Sequence, residues 1–339
     1  MRRWIGNPGG ELVFILLPPF ISVIVALWLR GQDPMNAVSW LLLIVCVDVA
    51  HVYSTLFRTY LDRNERKTRG LLLTLIPLTC AICGMVLFQI GELTFWRVLA
   101  YVAAFHFVRQ QYGFMRIYAR QELPSRLDAI AIYAAALFPL VYWHTHERSF
   151  HWFVANDFVE FRSEWIATAA GILYTAILCA YTWREIKTFR TGNFNWQKNL
   201  ILLGTMLSWS VGIVLLNSDI SFTLTNVISH GIPYMALVWI YGNKESKPAF
   251  KPGLIPILAL TIVALAFFEE SIWDALIWKE HESLFPFLAH FYPWQLKTET
   301  RSIVIPLLAV PQATHYVLDA FIWKLQGDSS SWRSVIQLD

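Results

Sequence analysis

The chain has 339 residues, 56% of them hydrophobic and 15% charged, with 16 Trp, 23 Phe and 13 Tyr and a mean hydropathy of +0.46. Soluble domains carry about 25% charged residues, so there is too little charge here to cover a water-facing surface. Disorder, collagen-like repeats and a small disulfide scaffold are excluded, since the four Cys sit in apolar context. The net charge of +3 is too small to point to nucleic acid.

Crossing hydrocarbon about 30 Å thick takes roughly 20 apolar residues in a helix. Candidate segments run Leu12–Leu29, Ala37–Tyr60, Leu71–Ile90, Phe95–Tyr118, Leu127–Trp143, Trp165–Trp183, Asn199–Leu216, Phe222–Tyr241, Leu254–Phe268 and Ser302–Trp323. The fifth and ninth are the shortest, so the expectation is an all-α polytopic bundle of about ten transmembrane helices, within a range of eight to twelve. The runs are continuous rather than alternating, which favours helices over a barrel. Pro18 and Pro19 are expected to kink the first helix, and the end of that helix lacks a small-x-small cleavage site. No low-complexity tract or long linker interrupts the chain, so residues 1–339 read as a single polytopic membrane domain.

Basic residues set orientation. With the N-terminus inside, 19 of the 27 Lys and Arg fall on the inner side and seven on the outer, and Arg109 is left within a helix. Both termini are therefore expected to be cytoplasmic, in the plasma (inner) membrane. Two outer segments, 144–164 and 269–300, are rich in Trp, Phe and His and are expected to lie at the interface.

Nine histidines carry most of the chemical information. His144, His146, His151, His281 and His290 lie in the outer segments. His51, His106, His230 and His315 lie deep, on the second, fourth, eighth and tenth candidate helices. At 1.5 Å rise per residue the four fall in one slab about 8 Å thick. Ionisable groups inside a membrane are costly and face a bundle interior or cavity, and neutral imidazole is the commonest metal ligand. Four at one depth point to a metal site.

Residues three or four apart share a helix face. Asp48 thus neighbours His51, Asp319 and Gln312 neighbour His315, Arg109 and Gln110 neighbour His106, and Asn226 and Tyr234 neighbour His230. Ligating histidines give their second ring N–H to such groups; Asp48 or Asp319 can also ligate directly, and Asp319 can pair with Arg109. Cys80 and Cys83 have CxxC spacing but lie mid-helix, where small-residue packing is the simpler reading. His144 and His146 read mainly as an exposed loop. No HxxHH box, HExxH motif, placed nucleophile or Gly-rich phosphate loop appears.

The stretches Asp48-Val49-Ala50-His51, His106-Phe107-Val108-Arg109-Gln110-Gln111-Tyr112 and His315-Tyr316-Val317-Leu318-Asp319 look like family signatures without identifying a family, and the pattern of single membrane-embedded histidines on several helices resembles integral-membrane non-haem iron oxygenases. The nearest type is the bacterial β-carotene dioxygenases that form retinal. The resemblance is architectural and covers the four His-bearing helices, roughly a quarter of the chain. That type places two His on one helix, where Asp319 here follows His315.

The expectation is a membrane metalloenzyme, an iron-dependent oxidoreductase with a mono- or dinuclear centre, zinc or copper being the other metals that imidazole suits. His51, His106, His230, His315, Asp48 and Asp319 are its metal-site residues, and Arg109, Gln110 and Tyr234 its catalytic candidates. A lipophilic small molecule would enter from the bilayer, an electron donor would supply reducing equivalents, and Trp40, Phe105, Tyr112, Tyr234 and Tyr316 would line the pocket. The alternative is a metal-ion or proton transporter or channel using the same His and Asp residues, although no inverted repeat is detectable.

Overall fold

The computed structural model describes residues 3–31, 35–324, 332, 335 and 336, and among them every regular element is helical. The helices are α1 (Pro8–Leu16), α2 (Pro18–Trp28), α3 (Ala37–Arg58), α4 (Arg63–Ile90), α5 (Glu92–Tyr118), α6 (Arg126–Thr145), α7 (Glu164–Arg190), α8 (Trp196–Leu216), α9 (219–244), α10 (Ile255–Trp278) and α11 (Thr298–Ile322). Each expected segment is helical. Seven helices are long and apolar enough to cross a membrane, or eight if α1 and α2, bent by 41° ahead of Pro18, form one span. The count of about ten is therefore not reached. The helices that fall short are α5 and α9, where His106, Arg109, Gln110 and Gln111, and Asn226 and His230, dilute the apolar run.

Local signals start these helices where they start. Asn36, Asp62, Ser125, Asn195 and Ser218 each turn a side-chain oxygen onto an amide of the first helical turn, satisfying donors that the helix leaves open. Pro77, Pro139, Pro233 and Pro306 sit inside helices, which membrane bundles accommodate by local adjustment.

The described residues of Met1–Pro34, Ala104–Ala236 and Ile336–Asp339 form one compact unit, and those of Met35–Ala103 and Leu237–Val335 a second. In the first unit α6 packs on α7 and α8, and α2 on α8 and the start of α9. In the second unit α4 packs on α11, and α3 on α10 and α11.

Each unit anchors its helices with buried charge. In the first, Lys198 Nζ lies 3.2 Å from both Glu122 and Glu185. Arg184 binds Asp128 and Glu185, and Asn199 donates to Glu185 at 2.7 Å. In the second, the fully buried Arg58 meets Glu65 at 2.5 Å, donates to the Ile322 carbonyl at 2.8 Å and lies 4.1 Å over the Tyr241 ring. Asp62, in the α3–α4 turn, accepts from Tyr241 at 2.7 Å and from Lys247.

The outer segments are shorter than expected. Glu269 and Glu270 belong to α10, which runs on to Trp278, so the second outer segment spans only 279–297. The charged pair looks like a helix end, but both side chains are buried and the helix continues unbroken through them to Trp278. The segment beyond is built on short 3₁₀ turns, Glu282–Leu284 and Pro286–Phe291. It is tied to α10 by Asp274, which accepts from the Glu280 and His281 amides at 3.0 and 3.1 Å. In the first outer segment Asp157 gathers the Trp152 and Phe153 amides at 2.8 and 2.7 Å.

Two predictions follow from the charge networks. Arg58→Met removes the closest cation that the buried Glu65 meets and is expected to cost about 3–5 kcal/mol, read as a lowered thermal midpoint of the detergent-solubilised protein. Burial alone would raise the Asp62 carboxyl, but the hydrogen bonds from Lys247 and Tyr241, the Lys247 charge and the Asn64 amide outweigh it and hold it below the ordinary aspartate value. Its stabilising contribution is thus complete above the unfolded aspartate value and is lost as acid reaches the depressed folded value. Asp62→Asn should flatten that acid-side fall in thermal midpoint; a fall of unchanged size would contradict the assignment.

Candidate metal centre

In the second unit His51 on α3 and His315 on α11 are both 1% exposed, and their rings meet edge to face at 4.9 Å between centroids. One turn after His51, the buried Thr55 brings its hydroxyl within 2.7 Å of His315 Nδ1. Asp319, one turn along α11, places a carboxylate oxygen 3.9 Å from the same nitrogen. The half-buried Asp48 stands 3.7 Å from His51 Nδ1. Both aspartates therefore lie against the imidazoles that their spacing predicted. Thr55 escaped the sequence reading, although its place four residues after His51 was the available signal.

In the first unit His106 on α5 and His230 on α9 repeat this arrangement, with centroids 4.9 Å apart and rings at 81°. Phe107 lies flat on His230, at 3.7 Å and 8°, fixing the plane of the ring. Gln110 donates to the His230 backbone carbonyl at 2.8 Å, so it braces α9 rather than addressing an imidazole. Tyr234 is fully buried one turn beyond His230. Arg109 takes a different place from the one expected. It is exposed, donates to Tyr133 at 2.6 Å and lies 5.6 Å over the Tyr112 ring, so its partner is a tyrosine and not Asp319. On a helix with one buried face, the residue three after His106 has turned onto the outer flank.

One nitrogen from each of His51, His106, His230 and His315 lies within 4.8 Å of the others, and all four side chains are buried. Four buried histidines this close can bind a metal ion. Among the described residues this is the group with metal-binding spacing, and Asp48 and Asp319 stand beside it rather than within it.

The backbone ahead of two of these histidines is unusual. Leu41–Val49, with Asp48, and Thr223–Val227, with Asn226, are π-helical, a rare form that recurs at functional sites. Residue types do not announce it. In the first unit Gly212 allows the close approach this requires, since a Cβ there would fall on the Thr225 hydroxyl.

Sequence reasoning also missed a set of acids. Glu269 is 8% exposed; its Oε1 accepts from Trp273 Nε1 at 3.3 Å, Tyr53 hydrogen-bonds to it, and its Oε2 is buried without a hydrogen bond. Glu270, 9% exposed, lies within electrostatic reach of Glu269, Asp48 and Asp274. The outer histidines are engaged locally. His144 and His146 turn Nδ1 to the Leu140 and Tyr142 carbonyls at 2.6 and 3.1 Å, and His281 stacks on Trp40 at 4.1 Å. Cys80 and Cys83 are free thiols, the first half-buried and the second exposed.

Comparisons with protein-family models, with curated proteins and with solved structures gave no match to this chain.

The glycine contact is testable by itself. Gly212→Ala should force the β-branched Thr225 and its helix to move, costing about 1–3 kcal/mol of stability. An unchanged thermal midpoint would show that the approach is not needed.

Proposed function

We propose that the chain is an integral-membrane metalloenzyme, a non-haem iron oxidoreductase or oxygenase acting on a lipophilic substrate, with His51, His106, His230 and His315 as ligands. The observation that carries this reading is the buried four-imidazole group. Neutral imidazoles suit iron, zinc, copper and nickel, and iron among these supplies the oxidative chemistry that the resemblance implies.

The surrounding residues fit that role. Thr55 and Asp319 face His315 Nδ1, which in this reading leaves its Nε2 for ligation, as at metal sites whose second nitrogen is held. Asp48 does the same for His51 from 3.7 Å. Four neutral ligands leave the charge of an ion uncompensated; Asp48 and Asp319 stand beside the histidines of their own unit and would balance it when ionised. Phe107 against His230 keeps water from that flank. Tyr234 is buried one turn from His230 on the same helix. In this reading the protein lies in the plasma membrane with both ends cytoplasmic and takes electrons from a separate donor.

Glu269 and Glu270 also favour a second reading. Buried carboxylates one helix away from Asp48 and His51 suit a path for cations, and the chain would then be a metal-ion or proton transporter.

Elemental analysis of the gently purified protein separates the two. Near-stoichiometric metal is expected in wild type and its loss in His106→Ala and His230→Ala, with His146→Ala unaffected. Thr55→Val should weaken metal retention about tenfold. A metal-free wild type that moves ions across proteoliposomes would replace the enzyme with the transporter.

A further inference from the structure

The second unit contains a cavity of about 200 Å³ that ends on one of the four histidines. Its walls are Val52 and Leu56 of α3, Pro77 of α4, and Pro311 and Leu318 of α11, and His315 and Thr314 lie in its lining. The aromatic residues in the lining of this cavity are Tyr53 and Tyr60.

The walls and size define an occupant. A cavity of about 150 Å³ lined by aliphatic side chains stays dry and takes a benzene-sized molecule, whereas a whole drug-sized ligand needs roughly 300–1,000 Å³. This cavity therefore holds about five to eight carbons, a segment and not an entire lipid. The remainder of the molecule must lie outside. Pro77 is flanked on α4 by Leu75, Leu78 and Ile82, which are 48%, 54% and 54% exposed. On a candidate membrane-spanning helix, such side chains meet acyl chains. The buried Thr314 hydroxyl makes no hydrogen bond of normal geometry, with the weakly bonding Cys80 thiol beside it. It gives the cavity one polar contact next to His315.

We infer that this cavity is the seat for the reacting segment of a long acyclic hydrocarbon chain, acyl or polyprenyl, which enters from the bilayer past α4 and comes to rest against His315. The inference rests on the metalloenzyme reading for its chemistry, but the binding stands on the cavity alone. Thr314 positions an oxygen or a polarised double bond of the bound segment, and the chain's remaining length stays in the membrane.

Two photoreactive probes, a long-chain fatty acid and a polyprenyl alcohol, each with a diazirine near its apolar end, test this on the full-length protein in nanodiscs. Adducts are expected on the peptides carrying residues 52–60 and 310–318, and the more efficient probe identifies which chain type is taken. Leu56→Trp and Val310→Phe, both at lining positions, fill the space and should cut labelling about tenfold in variants that elute as wild type does and keep its metal content. Wild-type adducts confined to Leu75, Leu78 and Ile82, or labelling unchanged in both filled variants, would overturn the inference. Adducts in the cavity of a wild type that holds no metal would leave the seat standing and remove the enzyme reading instead.

Discussion

A polar side chain inside an apolar helix bundle must find its partner within the protein, because hydrocarbon offers none. That requirement organises the interior of both units. It explains why Lys198 is shared among three carboxylates, why Arg58 is enclosed by Glu65, a carbonyl and an aromatic face, and why each deep histidine lies against another histidine. Buried ion pairs add little stability over an apolar replacement, yet losing one partner is expensive. Such contacts specify which helices pack together more than they strengthen the packing.

The histidines obey the same rule differently. An imidazole has two nitrogens, and a neighbour that holds one determines what the other can do. Thr55, Asp319 and Asp48 address Nδ1 atoms, whereas in the first unit the constraint is steric, with Phe107 against the face of His230 and Gln110 on its backbone. Two means of immobilising a ring are thus used, one polar and one aromatic. The polar one sits in the unit that also carries the buried acids and the apolar cavity.

Much of this was legible in the sequence because depth in a membrane helix is a linear function of residue number. Counting positions put His51, His106, His230 and His315 at one level, and three- and four-residue spacings found Asp48 and Asp319. What counting could not supply was azimuth. Arg109 and Gln110 follow His106 by one turn, yet one turns outward to Tyr133 and the other braces α9. In sequence Glu269 and Glu270 look like a helix end because charge in an apolar run ordinarily marks the interface, and only tertiary burial shows otherwise. Thr55 was passed over because threonine is unremarkable in a membrane helix until its hydroxyl has a target.

The π-helical stretch Leu41–Val49 has a mechanical consequence. Bonding from i to i+5 accommodates one more residue in a turn than an α-helix does, so the side chains on either side of the stretch are out of phase with a continuous α-helical count. Trp40, stacked on His281, and His51, facing His315, stand eleven residues apart, a spacing that a regular α-helix places near one face, and the π winding between them turns them off that common face. Stored slack of this kind can migrate along a helix by exchanging hydrogen bonds, without unfolding it. Loss of a single residue between Leu41 and Val49 would let the stretch return to α winding with its two ends facing as before, whereas α winding at full length would turn the outer aromatic contact and the inner histidine relative to one another. The relative facing of Trp40 and His51 on α3 is therefore kept by backbone winding as much as by side-chain identity.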